Sequence, residues 1–156
     1  MWLRDVKNNS RVKAKISRVS YHDYMLINES GQFFFNWEYE SELSFDLYKL
    51  CLIDSKDEIL GLMSLQDIRD ELRIHINLIE ISKNNIGKNK QYDRIAGCLL
   101  AHAVRLSFSR SYDGFISLLP KTVLIDHYCE KYGFEQFGRQ LGLGYAASLN
   151  LIKTYL

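Results

Sequence analysis

Residues 72–82 read LRIHINLIEIS, and this stretch decides the fold. From Leu72 to Leu78 apolar and polar side chains alternate with a period of two, which is typical of a half-buried strand. The phase then slips by one residue, because Leu78 and Ile79 are both apolar. An inserted bulge residue produces such a slip, so we predict a bulged, splayed central strand. The slip gathers three polar side chains on one face: His75, Asn77 and Glu80.

A long helix and a second strand follow. After a polar loop, residues 93–110 carry apolar side chains at three- and four-residue spacing, which predicts a helix about 27 Å long. Asp93 is its predicted N-cap. Phe115–Leu119 is a short apolar run and predicts a buried strand. Strand, long helix and strand in this order form a right-handed parallel crossover.

The rest of the chain predicts further strands and helices around this crossover. An alternating strand covers 11–17, a hairpin joins Lys49–Asp54 to Glu58–Gln66, and Phe33–Leu43 is ambiguous between a short helix and other structure. The C-terminal third predicts a helix that starts after its cap Thr122 and runs to about Tyr132, where Gly133 stops it. A β return over Phe134–Leu143 with a turn at Gly138 and a helix over Ala146–Leu156 follow. We predict the α/β class, with one domain over residues 1–156 containing a mixed β-sheet flanked by helices.

Composition limits the classes of function. The chain has 156 residues, 47% of them hydrophobic, and a net charge of +1 from 20 basic and 19 acidic residues. This balance argues against extensive disorder and against duplex nucleic acid as the main partner. No run of about 20 apolar residues predicts a membrane span, so we expect a cytoplasmic protein with no membrane partner. Its three cysteines form no C-x-x-C pair and its four histidines show no ligand spacing, so no metal site is predicted.

The first third of the chain is rich in aromatic residues, and two interpretations stay open. The side chains either fill the core or form one wall of a small-molecule pocket. The residues concerned are Tyr21, Tyr24, Phe33, Phe34, Phe35, Trp37, Tyr39, Phe45 and Tyr48.

The polar loop before the long helix predicts an anion site. The first N–H groups of a helix have no partner within the helix, and its N-terminus carries about half a positive charge. Together they suit a phosphate or diphosphate. Basic side chains in or beside the loop either reinforce such a site or are only solvent-exposed groups of a surface loop. They are Lys83, Lys88, Lys90 and Arg94.

Two motifs here resemble a known family. Residues 91–100, QYDRIAGCLL, are similar to the acetyl-CoA loop of the GNAT N-acetyltransferases, which usually reads Arg/Gln-x-x-Gly-x-Gly/Ala. Residues 127–134, HYCEKYGF, are similar to the family's Phe-Tyr-Glu-Lys-x-Gly-Phe segment. KTVLIDHY at 121–128 fits a branch with a longer loop before the cofactor motif. The resemblance covers about residues 46–145, but the loop lacks both early glycines, with Tyr92 after Gln91 and Arg94 at the next glycine position.

The resemblance implies the acyl-CoA N-acyltransferase fold and direct acetyl transfer, in a ternary complex, from acetyl-CoA to a primary amine of a small molecule or peptide. It implies that backbone groups of Ile79, Ile81 and Ser82 bind the pantetheine arm and the thioester oxygen. It also implies that main-chain amides hold the diphosphate, those of Gln91, Tyr92, Asp93, Arg94, Ile95, Ala96 and Gly97.

The same resemblance gives Tyr128 the role of acid for the departing thiolate. Its alternative is a helix residue that only packs under the sheet. For the base that deprotonates the amine, Glu80 and His75 are both candidates because they share the predicted polar face, with a water as a relay. For each of them a structural role is the alternative.

Other functions stay open from the sequence. A glycine-poor loop also suits a degenerate GNAT-like domain that binds CoA or a protein partner without catalysis. Acetylation of an amine on a charged RNA is disfavoured by the balanced charge. Pairing of the C-terminal helix with a second copy would give a homodimer.

Overall fold

The structure is a computed structural model that describes residues 1–120 and 124–156. The chain forms two compact units, which we call the first and the second unit. The first contains Met1–Ser64 and Leu78–Leu99, and the second contains Leu65–Asn77 and Leu100–Leu156. The expectation of one domain over residues 1–156 stays a prediction.

The first unit holds the N-terminal strands and two helices. Its complete elements are β1 (Trp2–Asp5), β2 (Ser10–Arg18), α1 (Tyr21–Ser30), α2 (Trp37–Glu42), β3 (Asp46–Leu52) and β6 (Tyr92–Asp93). β1 pairs antiparallel with β2 and with β6, and β2 pairs antiparallel with β3.

Three elements run through both units, and the remaining elements lie in the second. Those shared are β4 (Ile59–Ile68), β5 (Arg73–Ile81) and α3 (Ile95–Ser109). The second unit adds β7 (Ile116–Leu118), α4 (Ile125–Tyr132), β8 (Glu135–Phe137), β9 (Gln140–Leu143) and α5 (Tyr145–Tyr155).

Hydrogen bonds place the nine strands of the described residues in the order β6-β1-β2-β3-β4-β5-β7-β9-β8. β5 and β7 are parallel, whereas β7 with β9 and β8 with β9 are antiparallel. The sheet is therefore mixed, and helix α3 joins the two parallel strands as the sequence predicts. No helix in residues 1–120 or 124–156 combines the length and the apolar character that crossing a bilayer requires.

The core of the first unit forms around Trp37, which is 2% exposed. Ile27 of α1, Leu47 of β3 and Leu62 of β4 belong to the same buried cluster, and Leu78 of β5 packs against it. α3 lies close to β4, because a Cβ at Gly61 would come within 2.7 Å of the Ile95 side chain. Burial of these apolar groups is the main stabilising contribution to the unit.

Local signals explain several element ends. α1 follows Ser20, whose N–H donates to the Asp23 carboxylate at 2.6 Å, and it ends at Gly31 with a φ of +63°. Gly133 ends α4 in the left-handed conformation, as predicted, and Gly138 provides the turn of the β8–β9 hairpin. The predicted start of α4 at Thr122 lies outside the described residues.

The structure also corrects one expectation. α3 begins at Ile95, so Asp93 lies in β6 and is not the N-cap of the helix. The aromatic residues of the first third differ in burial. Trp37 and Tyr48 are buried, whereas Tyr21 and Phe34 are exposed.

Candidate functional site

The backbone of β5 changes its phase, and this change creates the candidate site. The Ile74 N–H donates to the Phe115 carbonyl, on the β7 side of the strand. The Ser82 N–H, eight residues later, donates to the Leu60 carbonyl, on the β4 side. With a strict period of two, both N–H groups would point to the same edge. The strand therefore contains the one-residue slip that the sequence predicts.

The Ser82 N–H faces β4, and the backbone groups of successive residues in a strand point alternately to its two edges. After the slip, the backbone groups of Ile79 and Ile81 therefore point to the edge away from β4. Within the described residues, the ladder with β7 ends at the pair Ile76 and Leu118. The backbone of Ile79 and Ile81 therefore faces an edge beyond the described β7 ladder, and its contact with an extended ligand stays a prediction.

Ser82 does not share this arrangement, and its predicted contact is corrected. Its N–H donates to Leu60 and its carbonyl accepts the N–H of Asn85 at 2.9 Å. The Ser82 hydroxyl accepts from the Asn85 side-chain amide at 2.7 Å. Because these groups are bonded within the first unit, we remove Ser82 from the ligand contacts.

The loop before α3 uses several of the amides that were predicted to hold a diphosphate. The Gln91 N–H donates to the Asn84 carbonyl at 3.1 Å, and the Tyr92 N–H donates to the Asn85 side-chain oxygen at 2.7 Å. The Arg94 N–H donates to the Asp93 carboxylate at 2.9 Å. These bonds contradict the expectation that the amides of Gln91, Tyr92 and Arg94 face a ligand.

Asp93 organises the turn that leads into α3. Its carboxylate accepts from Lys90 Nζ at 2.9 Å and from Arg4 at 3.0 Å as well as from the Arg94 amide. Burial alone would raise the pKa of Asp93, but these donors hold the pKa below its usual value. Asp93 is therefore a structural anion, and Lys90 is paired with it.

Arg94 adopts a backbone conformation that glycine reaches more easily than other residues. Its φ is +83°, in the left-handed region. Its guanidinium lies 3.7 Å from the centroid of the Trp2 ring, and its Nε donates to the Trp2 carbonyl at 3.3 Å. The Arg94 side chain is thus held against β1.

The first turn of α3 retains the predicted features of an anion site. Ile95, Ala96 and Gly97 are its first three residues, and N–H groups at these positions have no acceptor inside a helix. Ala96 is half-buried and Gly97 is buried. Small side chains here allow a ligand to approach the backbone, and the helix dipole favours negative charge.

Glu80 is buried, and its carboxylate is bonded to the segment between α1 and α2. Oε1 accepts the Phe34 N–H at 2.5 Å. Oε2 accepts the indole N–H of Trp37 at 2.8 Å and the Phe35 N–H at 3.4 Å. A carboxylate with three N–H donors is oriented by the protein rather than directed at solvent.

His75 lies in the second unit and belongs to a different network. Its Nδ1 is 2.8 Å from the Ser117 hydroxyl and 3.1 Å from the Arg73 guanidinium, and Arg73 also donates to Ser117 at 2.6 Å. Burial and the Arg73 charge lower the pKa of His75. Because Arg73 only donates, we assign Nδ1 as the acceptor and Nε2 as the protonated nitrogen.

Tyr128 lies in α4 of the second unit, among other rings. Its ring centroid is 5.8 Å from that of Phe134, edge to face, and 6.1 Å from that of Tyr132. Burial raises the pKa of the Tyr128 phenol. The phenol is therefore protonated at neutral pH, while its predicted role as an acid stays a prediction.

Sequence reasoning missed the partners that hold these groups. Asn85 bonds the loop to Tyr92, and Trp37 bonds to Glu80 from a position 43 residues earlier. Asparagine in a polar loop and tryptophan in an aromatic segment carry no local signal for such contacts. The described residues contain no cluster of three or more His, Cys, Asp or Glu side chains arranged to hold a metal ion.

Comparison with known proteins identifies the fold. No protein-family model and no curated protein matches the chain. Among solved structures, a mutant AtaT toxin bound to the C-terminus of the antitoxin AtaR and to acetyl-CoA is similar, with a TM-score of 0.63 and 15% identity over 90% of this chain and 99% of that one.

Two further structures show the same similarity. The KacTA–DNA complex has a TM-score of 0.63 and 14% identity, covering 91% of this chain and 99% of that chain. A chimera of the spermidine N-acetyltransferase SpeG from Vibrio cholerae and hSSAT has a TM-score of 0.63 and 15% identity, covering 88% and 99%. The chain therefore has the fold of the GNAT acetyltransferases.

Proposed function

We propose that this protein is an acetyl-CoA-dependent N-acetyltransferase that acts on a primary amine. The observation that carries the proposal is the phase change of β5. It directs the backbone of Ile79 and Ile81 to an edge beyond the end of the β7 ladder, on the strand whose loop leads into α3. An extended pantetheine arm pairs with such a strand edge, and its diphosphate suits the N-terminus of a helix.

In this proposal, three helix amides replace the longer set predicted from sequence. Ile95, Ala96 and Gly97 hold the diphosphate. The amides of Gln91, Tyr92 and Arg94 are bonded within the protein, and Asp93 is paired with Arg4 in the β1–β6 ladder. The AtaT structure, which contains acetyl-CoA on the same fold, supports this donor.

The chemistry is direct transfer. A neutral amine attacks the thioester carbonyl, and an N–H of the β5 edge stabilises the negative charge that develops on its oxygen. The C–S bond then breaks, the acetyl group remains on nitrogen, the nitrogen releases a proton to water, and the thiolate of CoA leaves. A thiol has a pKa of about 8.5, so proton donation by the Tyr128 phenol assists its departure.

The proposal contains no protein base. The Glu80 carboxylate is bonded to three N–H groups, and Nδ1 of His75 accepts from Ser117 or Arg73. The amine therefore reacts as the small neutral fraction present at neutral pH, and it loses its proton to water. Its ordinary pKa is about 10.4, so this fraction rises with pH.

Donor binding is tested with a matched pair of variants. Ala96→Glu places a carboxylate at the second residue of α3, where it suits the helix dipole but repels a diphosphate. Ala146→Glu makes the same change at the second residue of α5. We expect calorimetry to show acetyl-CoA binding at least about tenfold weaker in Ala96→Glu and unchanged in Ala146→Glu. Equal affinity in all three proteins would refute the proposed diphosphate site.

Catalysis is tested with acetyl-CoA and a panel of primary amines, with mass spectrometry of the products. The wild-type protein is expected to acetylate at least one amine and release CoA. Tyr128→Phe is expected to lower kcat by about 100-fold with little effect on donor affinity, because it removes only the acid. An unchanged kcat would remove this role from Tyr128.

A second candidate function follows from the bonded loop amides. A diphosphate that meets three amides instead of seven is bound less tightly, which favours a non-catalytic CoA-binding or interaction module. At acetyl-CoA equal to 100 times its Kd, a binding site raises the free energy of unfolding by about 2.7 kcal/mol. This stabilisation without acetylation of any amine would support the module instead of the enzyme.

A further inference from the structure

The segment between α1 and α2 is irregular, yet it is fixed to the end of β5 at two points. Glu80 accepts the N–H groups of Phe34 and Phe35. Close by, the Lys83 N–H donates to the Gln32 carbonyl at 3.1 Å and the Asn84 N–H donates to the Gln32 side chain at 3.0 Å. Residues 32–37 are thus bonded both to β5 and to the chain that follows it.

Glu80 is central to this attachment because it also binds the core. Its bond to the Trp37 indole joins it to a side chain that is 2% exposed, while Glu80 itself is 8% exposed. A buried carboxylate is costly unless donors satisfy it, and here all three donors come from one short segment. Loss of the carboxylate would leave these donors without their acceptor.

The attached segment presents two aromatic side chains to solvent. Phe34 is 78% exposed and Phe35 is 45% exposed, although their backbones are fixed. The ammonium of Lys83 lies 4.3 Å from the centroid of the Phe34 ring. An apolar surface beside a cation favours a ligand with an apolar group and disfavours one with several positive charges.

We propose that Glu80 is a positioning residue that fixes residues 32–37 beside the thioester end of β5, so that Phe34 and Phe35 form an apolar wall for an acceptor amine bearing an aromatic group. This inference rests on the proposed function, since β5 is the strand that binds the thioester there. It assigns Glu80 to the acceptor side and removes it from proton transfer.

The attachment is tested without catalysis by hydrogen exchange. Glu80→Gln keeps the shape but replaces one acceptor oxygen with an NH₂ group that opposes the N–H donors. We expect the amides of Phe34 and Phe35 to exchange at least about tenfold faster in this variant. Glu135→Gln, at an exposed glutamate of β8, is the control and should leave exchange unchanged. Unchanged exchange in Glu80→Gln overturns the positioning role.

The wall is tested with three amines: phenethylamine, ethylamine and spermidine. For the wild-type protein we expect kcat/KM for phenethylamine to exceed that for ethylamine by at least about tenfold, and to exceed that for spermidine. Phe34→Ala and Glu80→Gln should bring the phenethylamine-to-ethylamine ratio close to one, mainly through KM. A preference for spermidine, or a ratio that both variants retain, overturns the wall.

The pH dependence separates positioning from base catalysis. Glu80→Gln should keep the shape of the wild-type profile of kcat/KM against pH, whereas a wild-type plateau near neutral pH that Glu80→Gln abolishes would make Glu80 the base and overturn the inference. If the wild-type protein acetylates other primary amines but none of these three, the wall fails while the proposed function stands. If it acetylates no amine and does not bind acetyl-CoA, the proposed function fails as well. The exchange experiment still decides whether Glu80 positions the segment.

Discussion

The two halves of β5 differ in what their polar groups bind. In Arg73–Asn77, the backbone pairs with β7, and Arg73, His75 and Ser117 bond to one another. In Leu78–Ile81, Glu80 bonds to another segment, and the backbone of Ile79 and Ile81 lies beyond the described β7 ladder. A strand can therefore be structural over one half and offer its backbone to a ligand over the other, once its phase has shifted.

The largest expected effect tests the second half of β5. Glu80→Ala leaves three N–H donors of the Phe34–Trp37 segment without their acceptor. We expect the free energy of unfolding to fall by about 3 kcal/mol, measured by denaturant unfolding. Glu135→Ala, at an exposed site, should change it by no more than about 0.5 kcal/mol. Similar values for the two variants would contradict the role of the Glu80 bonds.

The pH dependence of the rate tests both halves of β5 together. Each half contains one candidate for the base, His75 in the first and Glu80 in the second. With no protein base, kcat/KM should rise about tenfold per pH unit as the neutral amine increases, up to the pKa of the amine. His75→Gln and Glu80→Gln should keep this slope. A plateau near neutral pH that one variant abolishes would identify that residue as the base.

The next prediction concerns the network of the first half. Ser117→Ala removes the hydroxyl that lies between Arg73 and His75. We expect a loss of about 1 kcal/mol in the free energy of unfolding, smaller than for Glu80→Ala because Arg73 still reaches His75. A loss as large as that of Glu80→Ala would erase the difference between the two halves.

The smallest expected effect is a titration shift at His75. Burial and the Arg73 charge lower the pKa of His75 below 6.5, so the unfolded chain binds a proton more readily. This stability contribution is present above pH 6.5 and is lost as pH falls through the folded pKa. In an NMR titration, Arg73→Gln should raise the pKa but leave it below 6.5, since burial remains. No change would show that the Arg73 charge has no effect on the ring.

The sequence predicted those features that depend on neighbouring residues. The phase slip of β5, the crossover through α3 and the helix end at Gly133 each follow from local spacing. α1 was not predicted, because only Asp23 and Ile27 of its residues are buried and it shows no clear apolar face.

The missed part of the candidate site depends on contacts between distant residues. Asn84 and Asn85 accept the Gln91 and Tyr92 amides through the shape of the loop, which spacing does not encode. Glu80 reaches Trp37 only after α2 and β5 are packed. Polar residues on a strand therefore indicate candidate catalytic groups, but the hydrogen-bond partners of these groups decide whether their role is catalytic or structural.

The slip in β5 also restricts how this chain can change in length. Substitution between Ile76 and Ser82 alters one side chain, whereas deletion of a single residue there would restore the strict alternation of the strand. The side chains on both sides would keep their faces, but the backbone of Ile79 and Ile81 would lose the offset that the inserted residue gives the strand. Among related sequences, we therefore expect the number of residues in this segment to vary less than their identity.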